Sequence, residues 1–568
     1  MTSVFDEIIL TGAIRVPPPE KFQIAPVGNA AELSAYRRLR HDVFVTEQGL
    51  FAGTDWDDHD DDPRTVVLLA RRAGGLDAGE VLGGVRLHPM TGDGPSVPDL
   101  GWWRGSRLAV TQDSRLVHGI GAALIRAACA EAESRGALRF DAIVQARHEA
   151  LFRRLGWVPR ERLDLHGTPH VLADWPAARF RRLAAVTKAA IGPLVGDLVG
   201  RDAWRGDDGA PVPGTDVIAA TDAILPSMVE RDPEWAGWCS VLVNVNDLYA
   251  MGATPVGLMD ALGARDASFA RRVLRGLSDA ARAWGVPVLG GHTQLGVPAA
   301  LSVTALGRTD HPVAGGGARP GQRLRVTADL GGSWRPGYTG SQWDSSTRRT
   351  PAELRALAGV VPALAPAAAK DVSMSGLIGT AGMLAEASGC RAILDVAGIP
   401  APASTTRADW LTCFPGFAIV SAEEATRQAA PGRARRPALP GFLTTAVCGE
   451  LVPGEGVALR WPDGVITEAV STVTGLGRAT DPGAAAVERH PRSLSVKPLR
   501  KIEGGFAGGT RRLPRRRGCG SSGIRAGCRR ACSPAGGARR CARSRGRGAR
   551  RRGRVRRARR SGTRRPGR

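Results

Sequence analysis

GDDGAPVPGTDVIAATDAI, residues 206–224, opens on two adjacent carboxylates, Asp207 and Asp208, in a Gly-rich turn. Residues 216–220 (DVIAA) predict a strand, and a third carboxylate, Asp222, follows it. Downstream, SVLVNVNDLYAMGATPVGL (240–258) lies in a helical stretch predicted over 237–251, where Asn246 and Asp247 are expected to open a helix. VPVLGGHTQ (286–294) ends a strand candidate, 287–290, on Gly290, Gly291 and His292. KDVSMSGLIGTAGMLAEASG (370–389) places Asp371 before a helix predicted over 374–388. Further strands are predicted at 300–307 and 322–327 and a helix at 267–284, giving a second α/β pattern from about residue 190.

Hard oxygen donors gathered from Asp207, Asp208, Asp222 and Asp247 suit Mg²⁺, which is shared with substrate phosphates. Singly, each aspartate also reads as a turn residue or helix cap. Glycines at 290 and 291 allow a backbone to approach phosphate.

These four blocks, in this order, resemble the AIR synthase superfamily, which includes thiamine-phosphate kinase and selenophosphate synthetase. The resemblance implies an ATP- and Mg²⁺-binding N-terminal part (185–310) and a C-terminal part (311–475). It implies a nucleotide site with Asn246, Gly290, Gly291 and His292 near the metal aspartates, and Asp371 facing that site. His292 resembles the selenophosphate synthetase form of its block; it touches ligand or caps a turn. Lys370 reads as a surface charge. The resemblance also implies a homodimer in which two sheets pair.

Upstream, residues 65–71, 81–88 and 106–111 predict strands, 120–134 a helix and 138–145 a strand, with a connector carrying a basic helix over 163–188. Gly119 and Gly121 follow a strand and open a helix, a geometry that offers N–H groups and the helix dipole to a pyrophosphate, with Arg115 nearby.

RLAVTQDSRLVHGIGAALIRAA (107–128), FDAIVQARHEALFRRLGW (140–157) and YRRLRHDVFVTEQGLF (36–51) resemble GNAT acyltransferases over about residues 20–175. The resemblance implies acetyl-CoA held by Leu108, Val110, Arg115, His118, Gly119, Gly121 and Ala122, with a backbone N–H around Val110 at the thioester oxygen. The phosphate-binding run is one residue out of step, and the Tyr that often protonates the leaving thiolate is Phe152. Glu47 and His88 are the candidate proton acceptors; each also reads as an ordinary structural or solvated residue. The acidic run DWDDHDDD (55–62) reads as a solvated loop or an attractor for a cationic amine.

The formal charge of +24 is local: residues 511–568 hold 24 Arg and no Lys, Asp or Glu, so 78 − 24 = 54 basic residues face 54 acidic ones elsewhere. This tail, poor in apolar residues, is expected to be disordered. It reads as a basic arm binding nucleic acid unspecifically or as an out-of-frame extension. Cys519, Cys528, Cys532 and Cys541 follow no zinc spacing, and the five other cysteines are scattered. No signal-peptide form or membrane-length apolar run is legible, so a cytoplasmic location without membrane contact is expected.

The sequence therefore predicts an α/β (α+β) chain: a GNAT fold, a two-part AIR-synthase-like α/β domain, and a linker and disordered Arg-rich tail from 476 to 568. The whole fusion resembles a bacterial family of nitrogen-starvation N-acetyltransferases joined to AIR-synthase-like domains. That implies acylation of an amine on a small nitrogenous metabolite, with ATP activating a related substrate. Alternatively, the ATP domain senses nucleotide and dimerises without catalysis, or the tail makes the chain a nucleic-acid binder.

Overall fold

The computed structural model describes residues 22–74, 78–90, 99–116, 119–177, 179–180, 188–199, 204–425 and 438–477. His118 and the Arg-rich tail fall outside them. All described residues belong to one compact unit, Met1–Ser495.

A seven-stranded sheet comes first. Its strands are β1 (Phe22–Pro26), β2 (Val66–Arg72), β3 (Val81–Pro89), β4 (Trp102–Val110), β5 (Arg139–Gln145), β6 (Val158–Leu165) and β7 (Thr168–Trp175), in the order β1-β2-β3-β4-β5-β7-β6. Helix α1 (Ala30–His41) contacts β3 and β4. Helix α2 (Ile120–Ser134) packs Leu124, Ile125 and Ala128 into a core with Val85, Leu87 and Phe140. Helix α3 (Glu149–Arg154) follows β5.

Residues 178 and 181–187 of the predicted connector lie outside the described residues, and its first part, 163–175, belongs instead to the β6–β7 hairpin. Its turn carries His166 at φ +51 and Gly167 at φ +74, the two left-handed residues a tight hairpin needs.

β4 and β5 run parallel and pair only from Trp102–Gly105 to Arg139–Ala142. Both strands continue, to Val110 and Gln145, without pairing with each other, so they fork. The cause is local. Arg107 sits at φ +53 inside β4, and the β3–β4 register shifts between Gly84 and Arg86. Such a bulge bends a strand away from its neighbour. Arg107 is held there by Asp55 and Asp57, and its carbonyl accepts from Tyr36 Oη at 2.7 Å.

The second sheet has strands β8 (Ala210–Pro211), β9 (Val217–Ile224), β10 (Thr254–Ala264), β11 (Val288–Leu295) and β12 (Ala300–Arg308), ordered β11-β10-β12-β9-β8. Helices α4 (Pro233–Ala250) and α5 (Ala267–Trp284) pack together. They meet at glycines: a Cβ on Gly237 would lie 2.1 Å from Val273 O, and one on Gly276 1.8 Å from Glu234 O. α5 starts on Asp266, whose side chain accepts from Phe269 N, and stops at Gly285, φ +69. α4 in turn contacts β9 and β12.

The third sheet contains β13 (Arg323–Asp329), β16 (Ala368–Asp371), β17 (Arg391–Asp395), β19 (Ala418–Glu423), β20 (Leu443–Val452), β21 (Val457–Arg460) and β22 (Ile466–Val470). Its order is β16-β19-β13-β20-β17-β21-β22, and helix α6 (Gly376–Ala387) contacts β16 and β17. A small sheet, β14 (Ser333–Trp334), β15 (Gln342–Asp344) and β18 (Phe414–Pro415), completes the described strands. Trp102 and Leu138 of the first sheet share a core with Trp410 and Trp461, and Arg139 reaches Asp463 at 2.8 Å. No described helix is long and apolar enough to cross a membrane.

Candidate functional site

Strand β16 ends on Asp371, α4 carries Asp247 on its last turn but one, and the turn before β8 carries Asp208. One carboxylate oxygen of each lies within 4.8 Å of the others. Residues 163 apart in sequence meet because Asp371 N donates to Asp208 Oδ2 at 3.0 Å. Lys370, expected on the surface, is buried and pairs with Asp208. Asp247 and Asp371 are both raised well above the carboxylate range, by burial first and then by neighbouring carboxylates. Asp222 is exposed on β9 and acts on this cluster through its charge. Its own carboxyl is pushed up to about 6, by loss of solvation and then by Asp208.

Among the described residues, one paired ammonium, that of Lys370, therefore stands against three carboxylates. Two further acceptors on α4, Asn246 Oδ1 and Asn244 Oδ1, are buried without a hydrogen-bond partner. An all-oxygen set with excess negative charge fits a hard divalent cation such as Mg²⁺.

The remaining predicted residues of this region lie elsewhere. Asp207 Oδ1 accepts from Gly315 N at 2.8 Å and so ties the turn to the next segment. Asn246 and Asp247 do not open a helix; they sit late in α4, since the apolar residues before them extend it back to Pro233. Gly290, Gly291 and His292 form no turn and lie inside β11, an edge strand separated from β9 by β10 and β12. Gly291 is required by close approach: a Cβ there would lie 2.1 Å from Asp260 Oδ1.

The fork between β4 and β5 opens into a second site, a cavity of about 690 Å³. Leu108, Ala109 and Val110 line one side; Ile143, Val144 and Gln145 line the other. Gly121, Arg115 and His148 line it near the start of α2, and Asp57, His59, His88 and Arg104 line it elsewhere. Gly119 caps α2 at φ +106, and neither Gly121 nor Gly119 has an atom within 4 Å of an added Cβ. Ala122 lies in the first turn of α2, half-buried. Phe152 packs against Trp157 at the cavity wall.

Glu47 and Arg115, predicted in separate roles, bind each other: Arg115 Nη1 and Nη2 donate to Glu47 at 2.6 and 2.7 Å. That pair holds the Glu47 carboxyl below its usual range, which makes it a weaker proton acceptor. His88 is buried and pushed down to about 2, by burial and then by His59 and Arg86.

The acidic run divides: Asp58 and Asp61 are exposed, as a solvated loop requires, while three other carboxylates turn inward. Asp55, Asp57 and Asp60 meet Arg40, Arg86 and Arg107 in a network in which Arg40 and Arg86 are fully buried. The five cysteines among the described residues are free and buried.

A profile described as AIR synthase related protein, N-terminal domain, matches residues 206–309, and one described as AIR synthase related protein, C-terminal domain, matches 319–462. A thiamine-monophosphate kinase of Halobacterium salinarum is 31% identical over 288 residues, 47% of this chain and 95% of that protein. An uncharacterized protein of a Synechocystis strain is 38% identical over 235 residues, 40% of this chain and 72% of its own. One of Methanocaldococcus jannaschii is 33% identical over 196 residues, covering 33% and 59%.

Proposed function

The chain belongs to the AIR synthase related family, and from that membership we propose that it uses ATP and Mg²⁺ to phosphorylate or activate a small molecule at Asp208, Asp247 and Asp371. The observation that carries the proposal is the convergence of three carboxylates on one pocket with a single paired lysine. Relatives named thiamine-monophosphate kinase and selenide, water dikinase support it. Bound there, Mg²⁺ would neutralise phosphate charge during phosphoryl transfer. Asp208, Asp247 and Asp371 hold the cation, with Asp222 the fourth carboxylate at its edge. Lys370 fixes the orientation of Asp208, and Asp207 anchors the turn that presents it. Asn246 Oδ1 is free to accept from a ligand beside the cation.

Two copies pair through the open face of the second sheet, where Val256, Met259, Val288, Leu289 and Leu295 are exposed. Pairing would bring β11, with Gly290, Gly291 and His292, to a partner copy. The test is calorimetry of ATP with and without Mg²⁺. Binding that survives excess chelator unchanged would remove the cation from the scheme.

We further propose that the first sheet is an N-acyltransferase, taking acetyl-CoA as donor and a small amine as acceptor. The fork supports this reading: beyond Gly105 the β5-facing edge of β4 has no strand partner, and its N–H groups are available to a thioester oxygen. Val110 and Leu108 line that edge, while Gly119, Gly121 and the start of α2 receive the pyrophosphate. Gly121→Glu should abolish acetyl-CoA binding while leaving the fold intact, because an added Cβ there has no protein atom within 4 Å. Absence of acetyl-CoA heat with folded wild type would refute the acyltransferase.

A further inference from the structure

The imidazoles of His59 and His88 stack face to face in the fork cavity, centroids 3.7 Å apart and planes 21° off parallel. The fork separates two faces of the first sheet. On one, α2 packs its apolar stripe, with Leu124 beneath Gly83. On the other, Tyr36 of α1 covers Gly84, and Arg86 binds Asp57 beside His59 and His88. A donor anchored at the start of α2 and passing through the fork would present its acyl end to the face where the two histidines lie.

We propose that His59 is the proton acceptor of the amine in acyl transfer, with His88 as the platform that positions its ring; this rests on the acyltransferase reading above. Both rings line the cavity, but His59 is half-buried whereas His88 is only 2% exposed. Its turn, Asp58–Asp60, is fixed before any ligand arrives. Asp57 caps it, Thr65 Oγ1 donates to His59 O at 2.6 Å, and Asp57 and Asp60 are clamped by Arg86 and Arg40. Such a clamp holds a reacting side chain in one geometry.

The charged groups facing His59 are Asp57 and Asp62, which favour its protonation, and Arg86 and Arg104, which oppose it. Burial and these arginines leave it lowered from the ordinary value, hence neutral and able to accept at pH 7. Two rings in stacking contact do not both carry charge, so the pair takes up at most one added proton. His88, pushed down to about 2, leaves that proton to His59.

The amine nitrogen attacks the thioester carbonyl carbon, forming C–N, and gives a proton to His59. The C–S bond breaks with its electron pair on sulfur, the thiolate takes a proton, and one proton per ammonium consumed reaches solvent.

His148 lies at the other end of the cavity, after β5, and Glu47 is bound by Arg115. His170 lines the far wall on β7, its Nδ1 2.7 Å from Thr168 O. The experiment uses the full chain, acetyl-CoA and a set of small primary amines, with thiol release as the readout. His59→Gln should lower kcat/KM about 100-fold or more, leave acetyl-CoA affinity by calorimetry within twofold, and erase the acidic limb of the pH profile. His88→Phe keeps a stacking ring and should stay within about tenfold. Imidazole ¹⁵N NMR on ligand-free protein should show one resonance, absent in His59→Gln, titrating below the ordinary histidine value of about 6.5.

A His59 that titrates above that value overturns the assignment whatever the amine. So does a His59→Gln enzyme with rate and pH limb retained, or a larger loss in His170→Gln. A wild type that neither binds acetyl-CoA nor releases thiol overturns the acyltransferase itself.

Discussion

Two buried acidic clusters sit in this molecule in opposite electrostatic states. In the first sheet, Asp55, Asp57 and Asp60 face Arg40, Arg86 and Arg107. Burial alone would raise Asp60, but Arg40 and Arg86 outweigh it and hold it down to about 2. In the family domain, Asp208, Asp247 and Asp371 share Lys370, and burial with mutual repulsion drives Asp247 and Asp371 up. The first cluster is complete within the chain and holds the fold: it fixes the turn at 58–60 and the bulge at Arg107. The second is short of positive charge among the described residues, which is the state a proposed cation would relieve. Acidic residues in a sequence do not reveal which case applies; the count of buried cations around them does.

The largest expected effect breaks the complete cluster. Arg86 is 1% exposed and binds both Asp57 and Asp60 at 2.6–2.8 Å. Arg86→Ala leaves half-buried Asp57 to Arg107 and buried Asp60 to Arg40 alone, and should cost up to about 3 kcal/mol of the stability of the first sheet, the lower end for breaking a buried pair. Urea unfolding followed by tryptophan fluorescence measures it. A loss below about 1 kcal/mol would place these aspartates in water after all.

The incomplete cluster should respond to ligand instead. Mg·ATP at a hundred times its dissociation constant should stabilise the wild type by about 2.7 kcal/mol, and Asp371→Asn should remove that gain. Without Mg²⁺, Asp371→Asn should be no less stable than wild type, because it relieves repulsion. A variant destabilised in chelator yet still responsive to Mg·ATP would reverse the contrast.

Acid sharpens the same contrast. Asp60 is lowered, so its stabilising contribution is complete above the unfolded value of about 3.9 and is lost as pH falls toward about 2. The shift corresponds to roughly 2.5 kcal/mol. A first sheet that holds its stability between pH 4 and 2 would contradict the pairing.

Legibility followed local chemistry. Helices α2 and α5 were readable to the residue, since Gly119 and Asp266 start them and apolar spacing carries them. The hairpin β6–β7 was not, because both its strands are partly exposed and carry charged residues, so alternation reads as polarity. Asn246-Asp247 looks like a helix start because both residues favour caps; only their burial on α4 reveals them as interior ligand-type residues. Gly290-Gly291 looks like a turn, yet the glycine answers to Asp260 across a strand pair. At the site, the aspartates were legible as residue types. The meeting of Asp208 with Lys370 and Asp371 depends on how β16 pairs with β19, which no local spacing encodes. His59 was hidden inside an acidic run, and only the ring beneath it gives it a role.

The smallest effect concerns an ion pair at the surface. Arg115 and Glu47 are each about two-fifths exposed, at 39% and 42%. Exposed pairs contribute about 0–1 kcal/mol, so Glu47→Gln should change stability by no more than roughly 0.5 kcal/mol, against up to about 3 for Arg86→Ala. Its consequence for ligand has the opposite sign. If the mouth of the fork takes a pyrophosphate, Glu47 competes with that anion for the Arg115 guanidinium, whose two terminal nitrogens it now occupies. Glu47→Gln removes a nearby negative charge and frees the guanidinium, so acetyl-CoA should bind a few-fold more tightly, most clearly at low salt, where screening is weak. Glu47→Arg should strengthen this further, and Arg115→Ala should weaken binding with or without Glu47. Calorimetry at two ionic strengths distinguishes these outcomes. If affinity falls on removing Glu47, the carboxylate orients Arg115 for the ligand rather than competing with it, and the pair belongs with the clamp on Asp57 and Asp60.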